Sequence, residues 1–210
     1  MSSQTEDSPL SEFKNATGQL LFINVIFYVF AFIVGLLASA NGYEQTLSLY
    51  QMPQFSVIVF GFSLLTFPAF FWTIITSLFL HADLGHLFGN MLFLLIFGFF
   101  MEDKGFKNKD IYKAYFISGF GSLILSAPIL GNSFQVGASG AIFGLLGVIV
   151  GWARKRQLEE KNRMLAAGII FFIFSSTNSN TNIFAHFLGF VIGIVLGAYG
   201  FVGRELKTIE

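Results

Sequence analysis

Ser139 stands in Gly137-Ala138-Ser139-Gly140 at the head of one apolar run, and His186 stands in Ala185-His186-Phe187-Leu188-Gly189 at the head of another. Polar groups at membrane depth are costly and rarely occur there without a partner or a task. A serine hydroxyl is a weak nucleophile until a base within hydrogen-bond reach takes its proton, and a neutral imidazole is such a base. Gly137 and Gly140 are small neighbours that let the backbone approach a substrate carbonyl and leave the hydroxyl accessible. His86 and Asn90, spaced i and i+4, share one face of a third run. From the end of that helix they can donate hydrogen bonds to a developing oxyanion, alongside the Ser139 amide. Taken singly these features are weak: G-x-S-G arises often by chance, and a lone histidine can bond a backbone carbonyl. Together they point to acyl transfer by a serine and its base.

The elements that must hold these residues are set by composition. Of 210 residues, 54% are apolar and 11% charged, with 29 phenylalanines. A soluble domain carries roughly 25% charged residues, so the polar surface needed to cover a water-soluble globule is missing. The composition predicts an all-α integral membrane protein with one domain. Formal charge is zero, which gives no support for a nucleic-acid partner. Cysteine is absent, which excludes disulfides, thiolate metal sites and a cysteine nucleophile. The three histidines and the carboxylates lack metal-ligand spacing, so neither metal nor cofactor is expected.

Apolar runs occupy about 20–39, 86–101, 111–130, 139–153, 164–177 and 183–202. Residues 1–19 form a polar tail without a basic start or cleavage site, so the first run is expected to remain as an anchor. The membrane domain is placed at 20–203 and a short tail at 204–210. With six spans, all 12 lysines and arginines fall on one side of the membrane. The positive-inside rule makes that side cytoplasmic, with both termini inside. The stretch Phe55–Leu80 is the ambiguous one. A seventh span there would still leave eleven of the 12 charges on one side, whereas Pro53, Pro68, Gly61, Ser63 and Thr66 favour a folded interfacial loop.

Either topology puts the starts of spans two, four and six on the same outer face. His81, His86, Asn90, Ser139 and His186 then converge on one layer. Close crossing of spans four and six has a visible means. Gly140, Gly144, Gly147 and Gly151 run down one, and Gly189, Gly193 and Gly197 down the other, and small residues at four-residue spacing let membrane helices pack backbone to backbone. His81 is assigned a structural role in the approach to span two. Asp83 is expected to cap the helix that starts near Leu84, although it is also the nearby carboxylate for a triad.

With these motifs in order, the sequence resembles the rhomboid family of intramembrane serine proteases from about residue 20 onward. HADLGHLFGN at 81–90 matches the family's span-two motif, Gly137–Gly140 its G-x-S-G, and Ala185–Gly189 with Gly193 its A-H-x-x-G-x-x-x-G. The resemblance implies a six-helix core, a Ser139–His186 dyad, an oxyanion hole from His86, Asn90 and the Ser139 amide, and an interfacial first loop at 40–85. It also implies that span five gates substrate access, and that Phe143 packs as an aromatic against the histidine. The implied substrates are single-span membrane proteins with small or helix-destabilising residues near the cut, cleaved near the outer leaflet of the cell membrane. Two departures concern anchoring: Thr73 follows Trp72 where an arginine is common, and Lys104 stands where an arginine is frequent, while Glu102 suits the acidic position. A non-catalytic rhomboid-like binder typically lacks the serine or histidine, both of which are kept. A small transporter would need an intramembrane carboxylate or an inverted repeat, and neither is evident.

Overall fold

The computed structural model describes residues 15–43, 50–157, 160–176 and 182–203. Helix α1 (Ala16–Ala40) opens on Asn15, whose side-chain oxygen accepts the Gly18 amide at 2.8 Å. The helix begins ahead of the apolar run because other chain segments satisfy its first donors. Glu102 accepts the Thr17 amide at 3.1 Å, the Thr17 hydroxyl at 2.7 Å and the Asn15 side-chain amide at 2.8 Å, and Asn108 accepts the Ala16 amide at 3.1 Å. Ala16 and Thr17 are therefore buried parts of the fold, whereas residues 1–14 of the polar tail and all of the tail at 204–210 lie outside the described residues.

The stretch Phe55–Leu80 is not one helix. It holds α2 (Gln54–Phe60) and α3 (Thr73–Thr76) with turns between them. Seven residues of helix rise about 10 Å, against roughly 20 residues needed to cross hydrocarbon. Hydroxyl and indole donors tie this segment to α1 and its two halves to each other. Ser56 Oγ donates to Ala31 O of α1 at 2.6 Å, Trp72 Nε1 to Val59 O at 2.9 Å and Thr76 Oγ1 to Phe60 O at 2.7 Å. Thr73, where an arginine is common, bonds its own turn by donating to Phe70 O at 2.7 Å, so of the pair it is the Trp72 indole that ties one part of the loop to another.

Five longer helices complete the chain: α4 (Leu84–Asp103), α5 (Asn108–Leu130), α6 (Ser139–Lys155), α7 (Glu160–Ser176) and α8 (Ile183–Ala198). With α1, they coincide with the six apolar runs. Among the described residues, α1, α4 and α5 are long and apolar enough to cross a membrane, while α8 and Asn162–Ile173 of α7 are shorter apolar helices. Large apolar side chains face outward, including Phe22, Ile26, Phe30 and Ile33 on α1 and Ile169, Ile170 and Ile173 on α7. Polar ones such as Asn24, Ser122 and Ser126 are buried. That pattern suits a solvent of lipid, where outward apolar groups lose nothing and inward polar groups find partners. Asn24, for example, donates to Tyr115 Oη at 3.3 Å, and Tyr115 donates on to Leu78 O at 3.4 Å, joining α1, α5 and the loop.

Helix α6 is the axis of the bundle, buried from Gly140 to Ala153 at every position except Val150. Its glycines serve two neighbours. A Cβ at Gly140 or Gly144 would strike Ser122 or Ser118 of α5, whereas one at Gly147 or Gly151 would strike the Phe190 or Ile194 carbonyl of α8. From the other side, Gly189, Gly193 and Gly197 of α8 lie against the carbonyl oxygens of Gly140, Gly144 and Val148. The stripe on α8 thus packs wholly on α6, and the stripe on α6 is divided between α5 and α8.

Candidate active site

Ser139 is the first residue of α6, so its backbone amide belongs to the group that has no acceptor within the helix. The residue is half-buried and lies at the positive end of the helix dipole, where developing negative charge is favoured. The preceding loop is held in two ways. Gly137 has φ +112°, a left-handed conformation that favours glycine, and its amide donates to Ser77 O at 2.9 Å. Gln135 exchanges backbone hydrogen bonds with Phe62, at 2.7 and 3.0 Å, so the first loop is paired directly to the segment that delivers the serine.

The head of α8 is fixed by a buried polar cluster. Asn182 caps the helix by accepting the Ala185 amide at 2.9 Å, and its side-chain nitrogen donates to Gln135 Oε1 at 2.8 Å and Ser126 Oγ at 3.1 Å. Ser126 Oγ donates to the same Gln135 oxygen at 2.8 Å. One glutamine therefore links α5, the loop before α6 and the start of α8. Behind that start, Gly189 lies on the Gly140 carbonyl and sets the spacing of the two helices. The outcome is His186 Nε2 at 2.8 Å from Ser139 Oγ, within the range a general base needs.

His186 is buried, and its ring stacks on Phe143 with centroids 4.5 Å apart and planes at 28°. Phe143 stacks in turn on Phe171 of α7 at 4.3 Å, and Phe171 meets Phe93 of α4 at 4.0 Å. His186 Nδ1 lies 3.4 Å from Ser175 Oγ on α7. Sequence reasoning missed Ser175, Gln135, Asn182 and Phe171. An asparagine just ahead of the apolar run at 183 was a legible cap signal; the others carry no local mark.

His86 and Asn90 come from the first two turns of α4, whose cap is Asp83. Its carboxylate accepts the His86 amide at 2.7 Å, which commits it to that helix start. His86 Nδ1 accepts the Ala82 amide at 3.4 Å, so the proton is assigned to Nε2. That nitrogen faces Gly137, where a Cβ would sit 2.8 Å from it and 3.6 Å from Asn90 Nδ2. Asn90 Nδ2 is buried and has no partner among the described residues. A buried amide donor without an acceptor is costly, and here it lies beside the backbone just ahead of the serine. His81 takes the supporting position: it is fully buried, its Nδ1 is 3.1 Å from Phe79 O, and its ring meets His86 edge-on at 5.1 Å. Burial, and then the nearby His86, hold its pKa well below the usual histidine value, with the Phe79 bond opposing them. No group of three or more potential metal ligands occurs among the described residues.

The Rhomboid domain matches residues 68–203, which contain every residue of this site. The chain belongs to the rhomboid family. Within that family it is similar to RHOMBOID-like protein 6, mitochondrial, of Arabidopsis thaliana, 37% identical over 131 residues, which cover 60% of this chain and 42% of that protein. Rhomboid-like protease 3 of Toxoplasma gondii is 32% identical over 155 residues, covering 68% of this chain and 57% of the relative. Rhomboid-like protein 11, chloroplastic, of Arabidopsis thaliana is 32% identical over 148 residues, covering 62% of this chain and 52% of the plant protein. The chain thus spans about half the length of the relatives it matches, or less.

Proposed function

We propose that this rhomboid-family chain is an intramembrane serine endopeptidase that cleaves single-span membrane proteins near the outer leaflet. The observation that carries the proposal is the 2.8 Å separation of Ser139 Oγ and His186 Nε2, with Asn90 Nδ2 unpartnered and His86 Nε2 beside Gly137. Neutral His186 takes the Ser139 proton as Oγ bonds to the scissile carbonyl carbon. The carbonyl oxygen becomes an oxyanion, and His86 Nε2–H, Asn90 Nδ2–H and the Ser139 amide donate to it. His186 then gives its proton to the departing amine as the C–N bond breaks. Water, deprotonated by the same histidine, attacks the acyl-serine; the carbonyl C–Oγ bond breaks, His186 returns the proton to Ser139 Oγ, and the new carboxyl end is released. Every proton moves between chain, substrate and water, and no cofactor is called on.

The topology proposed with this chemistry has six spans, both termini cytoplasmic and residues 40–85 as an interfacial loop of the cell membrane. Its support is the one-sided lysine and arginine distribution and the division of Phe55–Leu80 into two short helices. Helix α7 is proposed to gate lateral access of the substrate helix, since its outward face is apolar and its inner face touches the site through Phe171.

The test is cleavage of a labelled single-span substrate in proteoliposomes by the purified protein, beside Ser139→Ala and His186→Ala. Cleavage by the parent and its loss in both variants is expected. An inert parent protein, or undiminished cleavage by Ser139→Ala, would overturn the proposal and leave a membrane-helix binder as the reading to pursue.

A further inference from the structure

The base in this site has a second neighbour that the dyad description leaves out. Ser175, near the end of α7, places its Oγ 3.4 Å from His186 Nδ1 and 3.1 Å from the carbonyl of Phe172. A serine hydroxyl has one hydrogen and two lone pairs. The hydrogen is used on Phe172 O, which accepts and cannot donate, so the oxygen turns a lone pair toward Nδ1. Nδ1 must then carry the imidazole proton, and Nε2 is left bare to accept from Ser139 at 2.8 Å. With the proton there, these three contacts hold together. With the proton on Nε2 instead, the Ser139 hydroxyl would accept from the ring and have no base for its own proton, and Ser175 would have to release Phe172 O to donate to Nδ1.

A second contact from the same helix acts on the same ring. Phe171 and Ser175 are i and i+4, hence on one face of α7. Phe171 backs the Phe143 ring that stacks on His186, with centroids 4.3 and 4.5 Å apart along the ladder. The stack limits the tilt of the imidazole plane, and the hydroxyl selects its rotation and tautomer.

We infer that Ser175 is a positioning residue for the proposed protease reaction: its Oγ accepts the His186 Nδ1–H and keeps Nε2 free as the base. The inference rests on the hydrolytic reading of the site and extends it to α7. The geometry makes dyad competence depend on where α7 sits, because a displacement that withdraws Ser175 also withdraws Phe171 from the ring stack.

The test compares the parent protein with Ser175→Ala and Ser175→Thr in two assays, cleavage of a single-span substrate and covalent labelling of Ser139 by a small fluorophosphonate. The probe does not need the path that a substrate helix takes, so its rate reports on the serine and its base. Ser175→Ala is expected to lower kcat and the labelling rate together, by roughly 3- to 10-fold as for one neutral hydrogen bond, with KM unchanged. Ser175→Thr, which keeps the hydroxyl, is expected to restore both. Normal labelling by Ser175→Ala, or a defect confined to KM, would overturn the inference by making Ser175 a part of the substrate path. A threonine variant as impaired as the alanine variant would also overturn it, because the hydroxyl would then not be the active feature. A parent protein that neither labels nor cleaves would refute the protease reading itself, an outcome distinct from these.

Discussion

The crossing of α6 and α8 sets the distance between Ser139 and His186, the proposed nucleophile and base, and Gly189 is where that distance can be perturbed most directly. An alanine Cβ at this position would overlap the Gly140 carbonyl oxygen, a backbone atom that has no rotamer to escape through. Restoring ordinary contact requires the two helices to part by roughly 1 Å at this level. Gly140 follows Ser139 directly, and Gly189 lies one turn below His186. The displacement therefore passes almost undiminished to the reacting atoms. An Oγ···Nε2 separation of 2.8 Å becomes about 3.8 Å, outside the reach of proton transfer in the ground state. A misplacement of about 1 Å lowers rates on the order of 100-fold, and overpacking of this kind destabilises by about 1–3 kcal/mol. Gly189→Ala is thus expected to lose about two orders of magnitude in kcat, read as turnover of a single-span substrate in proteoliposomes. Two controls separate spacing from general damage. Gly121→Ala meets only the flexible tip of Ile192 and should leave turnover near normal. Gly197→Ala overlaps the Val148 carbonyl at the far end of the same crossing, so it should destabilise the fold similarly and reduce kcat much less. Undiminished kcat in Gly189→Ala at unchanged thermal stability would refute the argument that this contact sets the dyad distance.

Three further outcomes are expected from other parts of the molecule. Asn90→Ala should lower kcat by about 10²–10³-fold, as for loss of an oxyanion donor, yet leave the melting temperature almost unchanged, because its Nδ2 has no partner to lose; a large drop in thermal stability would contradict this. Glu102→Ala should destabilise the protein by about 2–3 kcal/mol by stranding donors of Asn15 and Thr17. The kcat of the folded fraction should persist, since Glu102 lies about 18 Å along α4 from Asn90, and a matching fall in kcat would count against that separation. His81 is held neutral by burial, so as pH falls through about 6.5 the unfolded chain binds a proton that the folded chain does not, and stability declines with falling pH. Melting temperatures at pH 7.5 and 5.5 should therefore converge in His81→Gln relative to the parent; an unchanged pH dependence would dismiss His81 as a source of acid sensitivity.

What the sequence disclosed and what it withheld divide along a physical line. The residues of the site announce themselves because a hydroxyl, an amide or an imidazole in a run of apolar side chains needs a reason to be there. Asp83 was readable for a related reason: a carboxylate just ahead of an apolar run has a local task, the cap, which the His86 amide fulfils at 2.7 Å. The glycine stripes announced the close crossing of α6 and α8, but not that Gly140 and Gly144 would face α5 instead. Periodicity gives a face, and the partner of that face depends on which helices flank α6, hence the division between α5 and α8. The hydrogen bonds that hold the site in place leave no comparable trace. Gln135 sits in the connection between α5 and α6, where polar residues are unremarkable, and its joining of Ser126 to Asn182 exists only after three separate elements have met.

Ser175 shows the same limit more sharply. It opens the run Ser175-Ser176-Thr177-Asn178-Ser179-Asn180-Thr181-Asn182, in which almost every residue could accept a hydrogen bond. Composition cannot select among them, and the family motifs do not extend there. What selects Ser175 is helical phase. It stands one turn beyond Phe171, whose ring is buried against Phe93 and Phe143, and that burial fixes the rotation of α7 about its axis. Once the phenylalanine is seated, the residue four positions on must face the ring that Phe143 covers. The proton on His186 is thus governed by apolar packing on a neighbouring helix, a dependence that exists in the folded bundle and in no single stretch of sequence.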